Sequence, residues 1–277
     1  MKNDKDYLNI DFKEKNSSDN TYQTTFNIPK TSKIERLIED EKLDDALSEI
    51  NRILVNDKDC TNWSLKGIIL DKSGEYEKAV ECFDNALELN DSDEIKSNKA
   101  NSLYNWAKIT FFPEGNYDKA LNLIDDALNT LPNSEDSSEF HFLKAEILEA
   151  LNELVESYKS YLIAHGQFDR LNEFESQCEY LNNAEDIIIS IVGCSFYNFT
   201  PERGIIIDLV KDLENEHDPD AIAAVKDNEI VGYVANSPHT LIDEVKSASD
   251  IKNSIKDNQK AEILFDFLGE YTIAKLI

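Results

Sequence analysis

Positive charge is scarce in this chain: 28 Lys and Arg stand against 56 Asp and Glu, a formal net charge of −28 over 277 residues. The shortage is general, with 39 acids against 20 bases in residues 1–185 and 17 against 8 in residues 186–277. A surface this negative repels polyanions at long range and opposes non-specific binding to DNA or to acidic membrane. Basic or neutral partners are favoured. The plainer alternative is a solubility feature suited to a salty cytoplasm. Cysteine is also sparse. Cys60, Cys82, Cys178 and Cys194 are widely spaced, with no pair at metal-ligand or redox-motif spacing, which reads as reduced thiols rather than disulfides. With 41% apolar residues, no run is long enough to span a membrane. Neither end carries a basic region followed by an apolar stretch, so a cytoplasmic protein without a signal peptide is expected.

Catalytic motifs are missing as well. There is no Gly-rich phosphate loop with Lys and Ser or Thr, no HExxH, no GxSxG and no paired Cys-His set. His141, His165 and His239 stand without a nucleophile partner. The acidic turn holding Glu214, Glu216, His217, Asp218 and Asp220 lacks the ligand spacing and glycine of a calcium loop, and reads as a solvated turn. The expectation is a non-catalytic protein with no cofactor and no metal.

What is present begins with WSLKGIILDKSGEYEKAVECFDNALELN, Trp63 to Asn90. Its large residues recur at helix spacing on one side, Gly67 and Ala79 let two antiparallel helices approach, and Gly74 lies in the turn. Trp63, Gly67, Gly74, Tyr76, Ala79, Phe83 and Ala86 together resemble the tetratricopeptide repeat. One such hairpin cannot bury its apolar face alone, so copies must stack on it. GNYDKALNLIDDALNTLP repeats its second half with Gly115, Tyr117, Ala120, Ile124, Ala127 and Pro132. The alanines Ala79 and Ala120 lie 41 residues apart, which predicts a longer first helix or a bulged loop. A third copy carries Lys144, Ala145, Ser157, Tyr161 and Ala164, and an upstream one Leu43, Ala46 and Ile50. Four helix pairs are predicted between about Thr31 and Gly166, with a helix from about Phe168 to Leu181 closing the stack.

The first 29 residues are polar and read as a disordered tail. After Ala184 the pattern turns to short β-branched runs: DIIISIVGCSFYNF, GIIIDLV, AIAAV, EIVGYV, AEILFDF and YTIAKLI. Six short strands need a sheet that closes on itself, so an OB- or SH3-like barrel is expected, with one helical segment at Ser237–Ala248. The fold class is therefore α+β in two domains: a superhelical solenoid over residues 30–183 and a small, mainly β barrel over 186–277.

Within the barrel, Val192, Gly193, Phe196 and Tyr197, then Asn215, Asp218, Ala221 and Ile222, then Val231, Gly232 and Tyr233 resemble the HIRAN domain over roughly residues 186–277. The resemblance implies capture of a single-stranded DNA 3′ end. Phe196 and Tyr197 would stack a base, Asn215 and Asp218 would be the turn contacts, with the Asp reaching the terminal hydroxyl, and His217 and Tyr233 would line the rim. Ser195, Glu216 and His217 depart from the family pattern, and the loss of an Arg at Ser195 and the gain of Glu216 weaken phosphate attraction. Only Arg203, Lys211, Lys246, Lys252, Lys256 and Lys260 are placed to compensate. On the helical side, the first helices of the pairs should line a groove for an extended or helical peptide, basic or amphipathic, with Leu65, Ile68, Asn98, Asn101, Asn105 and Phe142 facing inward. Two functions stay open: an adaptor that binds a protein through its repeats and a nucleic-acid end through its barrel, or a protein-interaction scaffold whose barrel no longer binds DNA.

Overall fold

The computed structural model describes residues 33–236, 245–269 and 271–277; the expected tail over residues 1–29 lies outside them. The helical part opens with α1 (Lys33–Glu39) and α2 (Leu43–Leu54), followed by α3 (Cys60–Lys72) with α4 (Tyr76–Leu89), α5 (Asp93–Phe111) with α6 (Tyr117–Thr130), and α7 (Ser138–Ala150) with α8 (Leu154–Ala164). These are the four expected pairs. The surplus between Ala79 and Ala120 goes into a longer first helix, since α5 runs 19 residues where α3 runs 13.

Local chemistry sets the starts. The Asp59 side chain accepts from the Asn62 N–H at 2.7 Å ahead of α3, Ser92 accepts from Ile95 ahead of α5, and Asn116 accepts from Lys119 ahead of α6, each satisfying a helix-end donor. Gly74 turns α3 into α4 with φ +79°, a left-handed conformation that glycine adopts without strain. At Gly67 the reason for glycine is proximity. A Cβ there would stand 2.8 Å from two ring carbons of Phe83, itself fully buried. Core clusters then pass from pair to pair: Ile34, Ile38, Ala46, Ile50 and Leu65 in one, Ile68, Ala79, Phe83, Ala86 and Ile95 in the next, and Leu103, Ala120, Ile124, Ala127 and Leu143 beyond it. Each inner helix is covered by its predecessor and its successor, which is how a repeat stack buries faces that one hairpin leaves bare.

The second compact unit begins at Asp169 among the described residues, upstream of the boundary expected near Asn183. It therefore includes α9 (Phe168–Asn182) almost whole, together with β1 (Ile188–Val192), β2 (Ile206–Lys211), β3 (Ile222–Lys226), β4 (Glu229–Val234), the short α10 (Ala248–Ile251), β5 (Gln259–Phe267) and β6 (Tyr271–Leu276). The strands close in the order β1-β4-β3-β2-β5-β6, and all their pairings are antiparallel. Ile189, Ile191, Ile207, Leu209, Ile222, Val231, Ile263 and Ala274 fill the interior. Gly232 marks the tightest crossing, because a Cβ there would meet the Ile191 side chain at 2.7 Å and the Val192 carbonyl at 2.8 Å.

Helix α9 is a correction to the sequence reading. Rather than closing the repeat stack, it lays Phe174 on Phe267 of β5, with ring centroids 4.9 Å apart, and sets Tyr180 edge-on to Phe265 at 6.1 Å. Its apolar residues fit a helical neighbour or a strand equally well in periodicity, and Phe265 and Phe267 of β5 take Tyr180 and Phe174. The helix expected over Ser237–Ala248 lies mostly outside the described residues; α10 follows it, opened by Ser247 and Asp250 in a reciprocal capping box.

Candidate functional site: an aromatic and acidic cleft in the barrel

At the end of β1, Gly193 takes φ +80° and the chain coils tightly: the N–H groups of Phe196 and Tyr197 bond the Gly193 carbonyl, and that of Phe199 bonds the Cys194 carbonyl at 2.9 Å. This coil decides where the two adjacent aromatics go. Tyr197 turns inward, its ring centroid 6.2 Å from that of Tyr233 on β4. Phe196 turns outward, 81% exposed, touching Tyr197 edge-on at 5.1 Å.

The turn between β2 and β3 is tied down by its own side chains. Asn215 Oδ1 accepts from the N–H groups of His217 and Asp218, each at 3.0 Å, and Asp218 Oδ1 accepts from the Asp220 N–H at 2.8 Å. These are the local side-chain bonds that make Asn and Asp turn residues. Asn236 donates its amide to the Asp218 carboxylate at 3.2 Å, joining the turn to the end of β4. Tyr233 Oη donates to Asp212 Oδ2 at 2.9 Å, and the Asn215 amide reaches the same oxygen at 3.2 Å. Burial first, then this bond to a carboxylate, pushes the Tyr233 hydroxyl up to about 12, so it stays a donor at neutral pH.

Tyr197, Asn215, His217, Asp218 and Tyr233 meet around one cleft of about 1030 Å³. Phe196, expected to share the stacking, stands outside its walls. Sequence reasoning missed the opposite wall, made by Asp266 at the end of β5 and by Tyr271 and Thr272 at the start of β6. The alternation of FDF in β5, with Phe267 buried and Asp266 on the other side, is the signal that could have found it. No Lys or Arg is among the described residues that line the cleft. Of the six cations able to offset the acids, Lys252 is bonded to Asp220 at 3.0 Å and Lys260 lies 3.6 Å from Asp208. Among the described residues, no group of three His, Cys, Asp or Glu side chains comes together as a metal would require.

The helical face differs from its expected form. Leu65, Ile68 and Asn98 are buried, at 5%, 1% and 1% exposure, so they belong to the interior and not to a groove. A first helix inside the stack is packed against a neighbour on either side, which leaves only a narrow strip uncovered. Asn101, Asn105 and Phe142 are half-buried on that strip. Asn105 donates its amide to both oxygens of Asp71, at 3.2 and 3.3 Å. Burial pushes the Asp71 carboxyl up to about 6, against the opposing hydrogen bonds of Asn105. Glu146 is likewise raised, by burial and then by Glu149.

Together these features describe a helical-repeat protein that carries a closed six-stranded barrel with an aromatic and acidic cleft. Residues 63–93 match the family model described as tetratricopeptide repeat. Among solved structures, one titled "Crystal structure of MamA" is 15% identical, covers 51% of this chain and 77% of its own length, and has a TM-score of 0.37. Another, titled "MamA MSR-1 C2", is 18% identical, covers 48% and 72% respectively, and has a TM-score of 0.35. No curated protein matches. Among the described residues no helix is long and apolar enough to cross a membrane.

Proposed function

We propose that this protein is a non-catalytic adaptor with two recognition surfaces, the helical repeats holding one protein partner and the barrel cleft contacting another. The observation that carries it is the make-up of the cleft: rings and oxygen acceptors from Tyr197, Tyr233, Asp218 and Asp266, with no Lys or Arg among its described lining residues. A phosphodiester needs positive charge or clustered N–H donors, whereas protein side chains are well served by aromatic and carboxylate walls. The repeat match at residues 63–93 supports the other half of the reading, because stacked helical hairpins present a long face suited to peptides. Cys60, Cys82 and Cys194 as thiols support work in the reducing cytoplasm. A photocrosslinking residue installed at Asn101, and in a second protein at Phe196, tests the two surfaces in cells. Protein adducts of different mass at the two positions are expected; adducts at only one position overturn the two-surface reading.

A second reading keeps a HIRAN-like barrel that captures a single-stranded DNA 3′ end. It is favoured by one observation, the convergence of Tyr197, Asn215, His217, Asp218 and Tyr233 on a single cleft. Fluorescence anisotropy with a strand bearing a free 3′ hydroxyl, against the same strand phosphorylated there, tests it. Tighter binding of the hydroxyl form, abolished by Asp218→Ala, would establish it; equal and negligible signals would end it.

A further inference from the structure

We propose that the barrel cleft is a receptor for a cationic side chain, the guanidinium of arginine or the ammonium of lysine, presented by a basic segment of a partner protein. This rests on the protein-contact reading of the barrel and names what that contact recognises.

Three features of the cleft fit one chemistry. Its aromatic walls are tyrosines held at fixed angles: Tyr233 is anchored through its hydroxyl to Asp212 at 2.9 Å, and Tyr197 sits beside it with rings tilted 47° at 6.2 Å. Pre-set ring faces attract a cation that comes within about 6 Å of the centroid. Two carboxylates also line the cleft, Asp218 from the β2–β3 turn and Asp266 from the end of β5. Asp218 accepts from the Asp220 N–H and from the Asn236 amide, neutral donors that bring no opposing charge. Asp266 stays exposed at the end of β5, and partial desolvation raises its carboxyl. The third feature is the charge of the surroundings. The described lining residues contribute acids and no Lys or Arg, on a chain of net charge −28, so a positive group is drawn in and a phosphate turned away. Arginine and lysine side chains bring both halves of the match, an apolar stem for the tyrosine faces and a charged head for the carboxylates.

The test uses the full chain and a fluorescein-labelled Gly-Ser peptide with one central arginine. Controls are the same peptide with citrulline, which keeps the shape and loses the charge, and a single-stranded oligonucleotide with a free 3′ hydroxyl. Anisotropy titrations should show the arginine peptide binding at least about tenfold tighter than the citrulline peptide. Asp266→Asn should weaken it by about tenfold, while Asp227→Asn, the same charge change on the exposed β3–β4 turn, should change it less than about twofold. Equal binding of the arginine and citrulline peptides overturns the cation site while leaving a protein-binding cleft standing. Equal losses from Asp266→Asn and Asp227→Asn also overturn it, since diffuse attraction would then account for the binding. Binding of the oligonucleotide alone overturns the cation site and the protein-contact reading together.

Discussion

Asp71 shows how one side chain sets a pH response. Its carboxyl is buried on α3 and titrates near 6 in the folded protein, against about 3.9 for an aspartate in an unfolded chain. Because the folded pKa is the higher one, the folded state holds the proton over a window in which the unfolded state has lost it. Stability conferred by Asp71 is therefore greatest at low pH and falls as pH rises from about 4 to about 6. Above that window the buried charge costs up to about 3 kcal/mol. Asp71→Asn, which keeps an oxygen for the Asn105 amide, should raise stability in urea denaturation at pH 7.5. The advantage should shrink by about 1 kcal/mol at pH 5, still above the isoelectric point of about 4.4. A variant no more stable than the parent at pH 7.5 would show that Asp71 already carries a proton or reaches water. The raised pKa was invisible in the sequence, where Asp71 is one acid among 56; only the approach of α5 to α3 desolvates it.

Among the elements, the α3–α4 pair depends on a single missing methyl. Adding it through Gly67→Ala gains helix propensity of about 1 kcal/mol, but places a Cβ 2.8 Å from the Phe83 ring, in a core where overpacking costs about 1–3 kcal/mol. The ring is fully buried and has nowhere to move, so the clash wins and thermal melting should show net destabilisation. Phe83→Leu should cost less stability in the Gly67→Ala background than in the parent, a coupling that a double-mutant cycle measures. Helix α9 makes a second prediction. Since Phe174 stacks on Phe267, a fragment beginning at Asp169 should melt at a higher temperature than one beginning at Asp186. Equal melting temperatures would show that α9 adds nothing to the barrel.

For the molecule as a whole, charge is the dominant variable. With a net charge of −28 and ion pairs that are mostly at the surface, self-repulsion outweighs attraction, and surface pairs contribute only about 0–1 kcal/mol each. Raising sodium chloride from low to about 0.5 M, where the screening length drops to a few ångströms, should raise the melting temperature by several degrees. A fall would mean that attractive pairs dominate. On the proposed reading, the same field would favour basic partners at the cleft around Asp218 and Asp266.

By itself the sequence determined the repeat and the change of architecture after Ala184, because both are written in spacing. Trp63, Gly67, Ala79 and Phe83 follow helical period, and the short Ile- and Val-rich runs follow strand composition, whatever lies beside them. It also determined that Asn215 and Asp218 would hold a tight turn, since those bonds reach only two or three residues along the chain. Tertiary structure decided the rest. Leu65 and Ile68 share the period of a groove face, yet neighbouring helices cover them; α9 keeps an apolar stripe that suits helix or barrel, and β5 takes it. Gly193 sends Tyr197 into the cleft and Phe196 out, while Asp266 joins the same cleft from a strand some seventy residues downstream. Periodicity tells which side of an element is apolar, but what covers that side depends on segments distant in the chain, and that is settled only when they pack.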